Sequence, residues 1–180
     1  MLVSGGGTNL QALLDAFHDS PIVQIARVIS SRSDAGALDR ARRSNVPAVV
    51  LRKPGDAAEL VAALHDIKIV VLAGYLKLVP AAVVRQFRGR MINIHPALLP
   101  DFGGRGMYGH HVHVAVLASG ARESGATVHL VDEEFDRGAI IGQERVPVLP
   151  GDTPDALAAR VLEAEHRLLP RVVLDLTRRL

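Results

Sequence analysis

The chain has 180 residues, a formal net charge of +2 and no cysteine, so disulfides, Cys-based zinc sites and thiol nucleophiles are excluded and a cytoplasmic location is expected. Its length fits one domain over residues 1–180 that buries roughly 70% of its unfolded surface, with an aliphatic core, because 48% of residues are hydrophobic and few are aromatic. The small basic excess is not interleaved with aromatics, no charged segment and apolar run open the chain, and no apolar run can span a bilayer, so neither nucleic acid nor membrane is an expected partner.

Met1–Ser4 reads as a first strand, and SGGGTNL follows it. Leu10, Leu13, Leu14 and Phe17 then repeat with the spacing of an amphipathic helix. Short apolar runs at Ile22–Ser30, Val46–Leu51, Ile67–Ala73 and Met91–His95 predict further strands. They alternate with expected helices at Ala35–Ser44, Asp56–His65 and Pro80–Phe87. Gly125–Val131 and Ala139–Val148 are β-like runs around DEEFDRG, expected to extend the sheet antiparallel. Thr153–Leu169 is the strongest helix, with Thr153 as cap, Pro154 in the first position, and Pro170 expected to kink or end it. The alternation predicts an α/β fold: a Rossmann-like, doubly wound, mostly parallel sheet with helices on both faces and an antiparallel C-terminal extension.

Three segments carry chemistry. The three glycines of SGGGTNL let the backbone approach a ligand, and the following helix start aims N–H groups at an anion. The same residues also suit a plain turn with Thr8 as N-cap. The dinucleotide fingerprint fails because Leu10 takes the third glycine's place, and the P-loop fails for want of Gly-Lys-Ser/Thr, so a single phosphate is the expected ligand. INIHPALLP places Asn93 and His95 two apart at the end of a strand, hence on one face, where ligands of doubly wound sheets bind. DEEFDRG offers Asp132, Glu133, Glu134 and Asp136, which suit a solvated turn unless a carboxylate reaches His95 and raises its pKa. The chain holds eight histidines. His110, His111 and His113 do not all share one helix face, so they are expected to be surface or hinge-proximal polar residues, with no metal site. His129 reads as a strand residue with a satisfied hydrogen bond.

SGGGTNLQALLDA, VVLAGYLKLVP, INIHPALLP, GATVHLVDEEFDRGAIIGQERVPV and ARVLEAEHRLLP together resemble the phosphoribosylglycinamide formyltransferase family over nearly the whole chain. The resemblance implies transfer of a formyl group from 10-formyltetrahydrofolate to glycinamide ribonucleotide in de novo purine synthesis. It implies a catalytic triad of Asn93, His95 and Asp136, with His95 as the protonated general acid. It also implies phosphate contacts from Gly7, Thr8 and Asn9, and a ribose contact from Glu165. Leu76, Lys77, Leu78, Val79 and Asn93 are implied at the folate, with no metal. The expected partners are these two small molecules, acting on a monomer or homodimer. Rival readings are a methionyl-tRNA formyltransferase core, a formyltetrahydrofolate hydrolase, or a non-catalytic nucleotide-binding module. The first two usually carry a further domain that 180 residues do not accommodate.

Overall fold

A computed structural model describes residues 1–180. In chain order the elements are β1 (Leu2–Val3), α1 (Thr8–Ala16), β2 (Val28–Ser30), α2 (Gly36–Arg43), β3 (Ala48–Val50), α3 (Ala57–Ala63), β4 (Val70–Ala73), α4 (Ala81–Gln86), β5 (Met91–His95), α5 (His110–Ala118), β6 (Glu123–Leu130), β7 (Ile140–Pro147) and α6 (Pro154–Thr177). They build one seven-stranded sheet in the order β3-β2-β1-β4-β5-β6-β7. The first five strands pair parallel, and β5–β6 and β6–β7 pair antiparallel. This is the expected doubly wound sheet with its antiparallel extension. No helix is long and apolar enough to cross a membrane.

The strands sort their side chains between two cores, as a period of two requires. Val3, Val71, Ile92 and Ile94 join the larger core, with Leu10 and Leu13 of α1, Val112 and Val116 of α5 and Leu157, Leu168 and Leu169 of α6. Leu2, Val70, Leu72 and Met91 join the smaller core on the other face, with Leu60 of α3 and Val83 and Val84 of α4. On β5, Asn93 and His95 therefore continue the face of Met91, while Ile92 and Ile94 anchor the strand from behind.

Three expectations need correction. The strand expected at Ile22–Ser30 contracts to Val28–Ser30, because only that end pairs with β1 and β3. Thr8 is not a cap: Gly7 occupies that position at φ 75°, without a side-chain hydrogen bond, and Thr8 is the first helical residue. Pro170 does not end the last helix, which runs on to Thr177. Proline deletes one helical hydrogen bond, yet Val172 and Val173 beyond it are buried in the larger core. Gly142 of β7 makes room for that turn, since a Cβ there would come within 2.9 Å of Val172 and 3.2 Å of Leu168. Burying those side chains, at roughly 1.5–3 kcal/mol each, is enough to offset the lost bond. Helix α5 was not expected at all; its His-rich start between glycines carries little helical periodicity.

Candidate active site

A cavity of about 1320 Å³ opens along the carboxyl end of the sheet. Asn93 and His95 of β5, Asp136, and His129 of β6 all line it. Asn9 and Glu165 lie in its lining, and so do Leu76, Lys77, Leu78 and Val79. Single-ligand pockets hold roughly 300–1,000 Å³, so this volume suits two substrates.

His95 is 3% exposed. Its Nε2 lies 2.8 Å from the Phe102 carbonyl oxygen. A carbonyl only accepts, so Nε2 carries the hydrogen and Nδ1 is the titrating nitrogen. Nδ1 is 3.5 Å from Asp136 Oδ2. The carboxylate does reach the imidazole. The expected rise in pKa, however, does not follow: burial lowers it, and this outweighs the raising influence of Asp136 and of the Phe102 carbonyl. The net direction is below the ordinary 6.5, and the resting ring is neutral near pH 7.

Asp136 is held from both sides. Its Oδ1 accepts from Asn93 Nδ2 at 3.3 Å and lies 3.3 Å from His129 Nε2. Its Oδ2 accepts from the backbone N–H of Gly104 at 3.0 Å. Burial pushes this carboxyl up, but the close His129 and His95 imidazoles and the Gly104 N–H together hold it below its usual value. Asp136 has φ 57°, and the neighbouring loop approaches it closely only because residue 103 is glycine. A Cβ at Gly103 would stand 3.2 Å from Asp136 Cβ and 2.4 Å from Leu99 Cδ2. Glu133 of the same turn instead pairs with Arg85 at 3.0 Å in solvent.

His129 is the residue sequence reasoning undervalued. It pairs with Asn93 across the β5–β6 register. Its Nδ1 hydrogen-bonds to the Leu130 carbonyl at 2.9 Å, and its Nε2 faces Asn93 Nδ2 at 3.1 Å. The signal was available: TVHLV puts an imidazole on a buried strand, where a satisfied polar group needs a specific partner.

At one end of the cavity the structure joins the first helix to the last. Asn9 Nδ2 donates to Glu165 Oε2 at 3.1 Å. Glu165 is 7% exposed, and burial raises its carboxyl to about 7 despite the bond from Asn9. Asn9 Oδ1 is buried without a partner. The backbone N–H groups of Gly7, Thr8 and Asn9 have no acceptor within the protein. Gly7 and Thr8 stand beside this end of the cavity rather than in its lining.

At the other end, Leu76 and Leu78 are each 48% exposed within the cleft, and Phe135 is 37% exposed across from them. Large apolar side chains left open inside a concavity suit a flat aromatic ring. Val79 differs: its side chain packs into the smaller core, so only its backbone borders the cleft. The N–H of Leu76 is taken by Ser4 Oγ at 3.0 Å.

The GHHVH histidines do not converge. His113 is buried at 5% exposure, against expectation, because α5 turns it inward, while His110 and His111 stay exposed. No group of three or more His, Cys, Asp or Glu is arranged to hold a metal ion.

Comparison with known proteins matches this arrangement. The formyl transferase family profile covers residues 1–173. The chloroplastic phosphoribosylglycinamide formyltransferase of Arabidopsis thaliana is 44% identical over 183 residues, spanning 96% of this chain but 63% of the plant protein, so the chain covers less than two thirds of that relative. Phosphoribosylglycinamide formyltransferase of Haemophilus influenzae is 40% identical over 182 residues, covering 96% of this chain and 84% of the bacterial one. The crystal structure of phosphoribosylglycinamide formyltransferase from Anaplasma phagocytophilum superposes with a TM-score of 0.88 at 39% identity, covering 96% and 82% of the two chains. The chain belongs to the formyl transferase family, among the phosphoribosylglycinamide formyltransferases.

Proposed function

We propose that residues 1–180 form one catalytic domain, working in the cytoplasm. It transfers the formyl group of 10-formyltetrahydrofolate to the amine of 5′-phosphoribosylglycinamide, giving formylglycinamide ribonucleotide in de novo purine biosynthesis. The observation that carries this reading is the meeting of Asn93, His95 and Asp136 on the wall of one cavity, between a polar end and an apolar end.

The ribonucleotide lies with its phosphate on the N–H groups of Gly7, Thr8 and Asn9 and its ribose against Glu165. The pterin enters between Leu76–Val79 and Phe135, so the two reacting nitrogens meet at Asn93 and His95. Attack of the amine on the formyl carbon creates an oxyanion, to which Asn93 turns the Nδ2–H that points at Asp136 Oδ1 in the free protein; such a donor contributes about 10²–10³-fold. The neutral His95 takes the amine's proton at Nδ1, and Asp136 stabilises the imidazolium so formed. His95 then returns the proton to the leaving folate nitrogen as the carbon–nitrogen bond breaks. Its role as general acid thus belongs to the second half of the reaction, after it has served as base. General acid–base help of this kind is worth roughly 10²–10⁴-fold.

The test is to mix the protein with 10-formyltetrahydrofolate and follow deformylation with and without glycinamide ribonucleotide. Turnover that requires the ribonucleotide is expected. Equal turnover without it would identify a hydrolase, and ribonucleotide binding without turnover would identify a binding module.

A further inference from the structure

We propose that helix α2 holds the glycine loop in its phosphate-receiving form, with Arg40 as the positioning residue. This rests on the assignment of the ribonucleotide phosphate to that loop.

Two consecutive carbonyls of the loop are gripped from α2. The backbone N–H of Ala37 donates to the Gly5 carbonyl at 3.1 Å. Arg40 Nε donates to the Gly6 carbonyl at 2.8 Å. In a trans peptide the C=O and the following N–H point in opposite directions. Pinning the carbonyls of Gly5 and Gly6 toward α2 therefore turns the N–H groups of Gly6 and Gly7 away from it. Neither of those N–H groups has an acceptor in the protein. They continue the row formed by Thr8 and Asn9 at the start of α1.

The approach of the two elements is close enough to demand glycine. A Cβ on Gly7, at φ +75°, would lie 2.6 Å from Ala37 Cβ and 2.8 Å from Ala37 Cα. Arg40 is also tied to α1, where its Nη1 donates to Gln11 Oε1 at 3.2 Å. Gln11 in turn donates to Asp15 at 2.8 Å. The loop SGGGTNL contains no Lys or Arg. Both partners of Arg40 are neutral acceptors, so no carboxylate bonded to it cancels its charge. A cation donating to the Gly6 carbonyl polarises that peptide and makes the Gly7 N–H a stronger donor. It also adds positive potential directly behind the phosphate position. Arg40 thus acts through the Gly6–Gly7 peptide rather than by touching the ligand.

Calorimetric titration with ribose 5-phosphate, alongside steady-state kinetics for both substrates, tests this in wild type, Arg40→Met, Arg40→Lys and Gly7→Val. Arg40→Met should weaken ribose 5-phosphate binding and raise the ribonucleotide KM, each roughly tenfold, with kcat and the folate KM unchanged. Arg40→Lys keeps the charge and one donor, and should recover most of the affinity. Wild-type affinity in Arg40→Met, whether or not its melting temperature falls, overturns the inference, because Arg40 is then a packing strut. If Gly7→Val loses binding while Arg40→Met keeps it, the phosphate assignment stands and the role of Arg40 alone falls. If wild type itself fails to bind ribose 5-phosphate, the phosphate assignment falls and takes this inference with it.

Discussion

Asn93 on β5 and His129 on β6 are register partners, and their side chains meet at 3.1 Å in front of Asp136. Because His129 donates its Nδ1–H to the Leu130 carbonyl, its Nε2 is left to face the Asn93 amide. The strand pairing therefore sets which way that amide points. His129→Phe should keep the bulk, remove the acceptor and lower kcat about tenfold, the cost of a lost buried hydrogen bond. His129→Gln should recover part of the loss. Both KM values should stay within twofold or so, since neither substrate is held by this residue. Normal kcat in a folded His129→Phe enzyme would make His129 a strand residue only.

Asn93→Ala and His95→Ala should each lower kcat by at least about 10²-fold with the fold intact. Single-turnover rates with both substrates saturating are the measurement. Near-normal rates in either variant would remove that residue from the chemistry.

Asp136→Asn separates the charge of this residue from its place on the turn. Burial already takes the His95 imidazole below 6.5, and Asp136 opposes that fall. Removing the negative charge must lower it further. The acid limb of kcat/KM, which reports the base in the free enzyme, should move to lower pH, and the plateau should drop because the imidazolium formed during transfer loses its partner. Glu133→Gln, whose wild-type carboxylate pairs with Arg85 in solvent, should leave both unchanged. An unmoved limb and an unchanged plateau in Asp136→Asn would return it to the rank of a solvated acid.

Glu165 makes stability depend on pH. Its carboxyl is raised from 4.5 to about 7 by burial, so the folded protein binds this proton more tightly than the unfolded chain. The stabilisation is fully present below pH 4.5 and is lost as pH rises through about 7. The gap corresponds to on the order of 3 kcal/mol. Denaturant melts should show wild type losing stability across that window relative to Glu165→Gln. Parallel curves for the two proteins would contradict a raised carboxyl. The same variant should raise the ribonucleotide KM and spare the folate KM.

At the apolar end, Leu76→Asp should weaken a folate analogue far more than the ribonucleotide. Its side chain is 48% exposed in the cleft, so the fold tolerates the change. Equal loss of both ligands in folded protein would misplace the pterin.

The sheet was legible because alternating apolar runs and helical periodicities are local patterns. Met91–His95 was read to the residue, since Pro96 fixes its end. Ile22–Ser30 was not, because Val23 and Ile25 pack against the larger core without strand pairing and Ile22 stays exposed. The run through Pro170 was hidden for a different reason: the residues that override its local penalty, Val172 and Val173, act through partners far away in the chain. In the site, Asn93 and His95 could be read from one strand. Asp136, Glu165 and the weight of His129 could not be read from spacing, because each depends on a contact across the fold. The lowered His95 pKa depends on burial, a property of the whole cavity.

The hydrogen bond between Asn9 and Glu165 joins positions 156 residues apart. It buckles the opening helix to the closing one, so this end of the cleft, to which the ribonucleotide is assigned in the proposed function, forms only when both helices are docked. A ligand seated there reports on folding as a whole, with no smaller unit able to hold it. Its gain in stability should grow as RT ln(1 + [L]/Kd) and slow hydrogen exchange at α1 and α6 together.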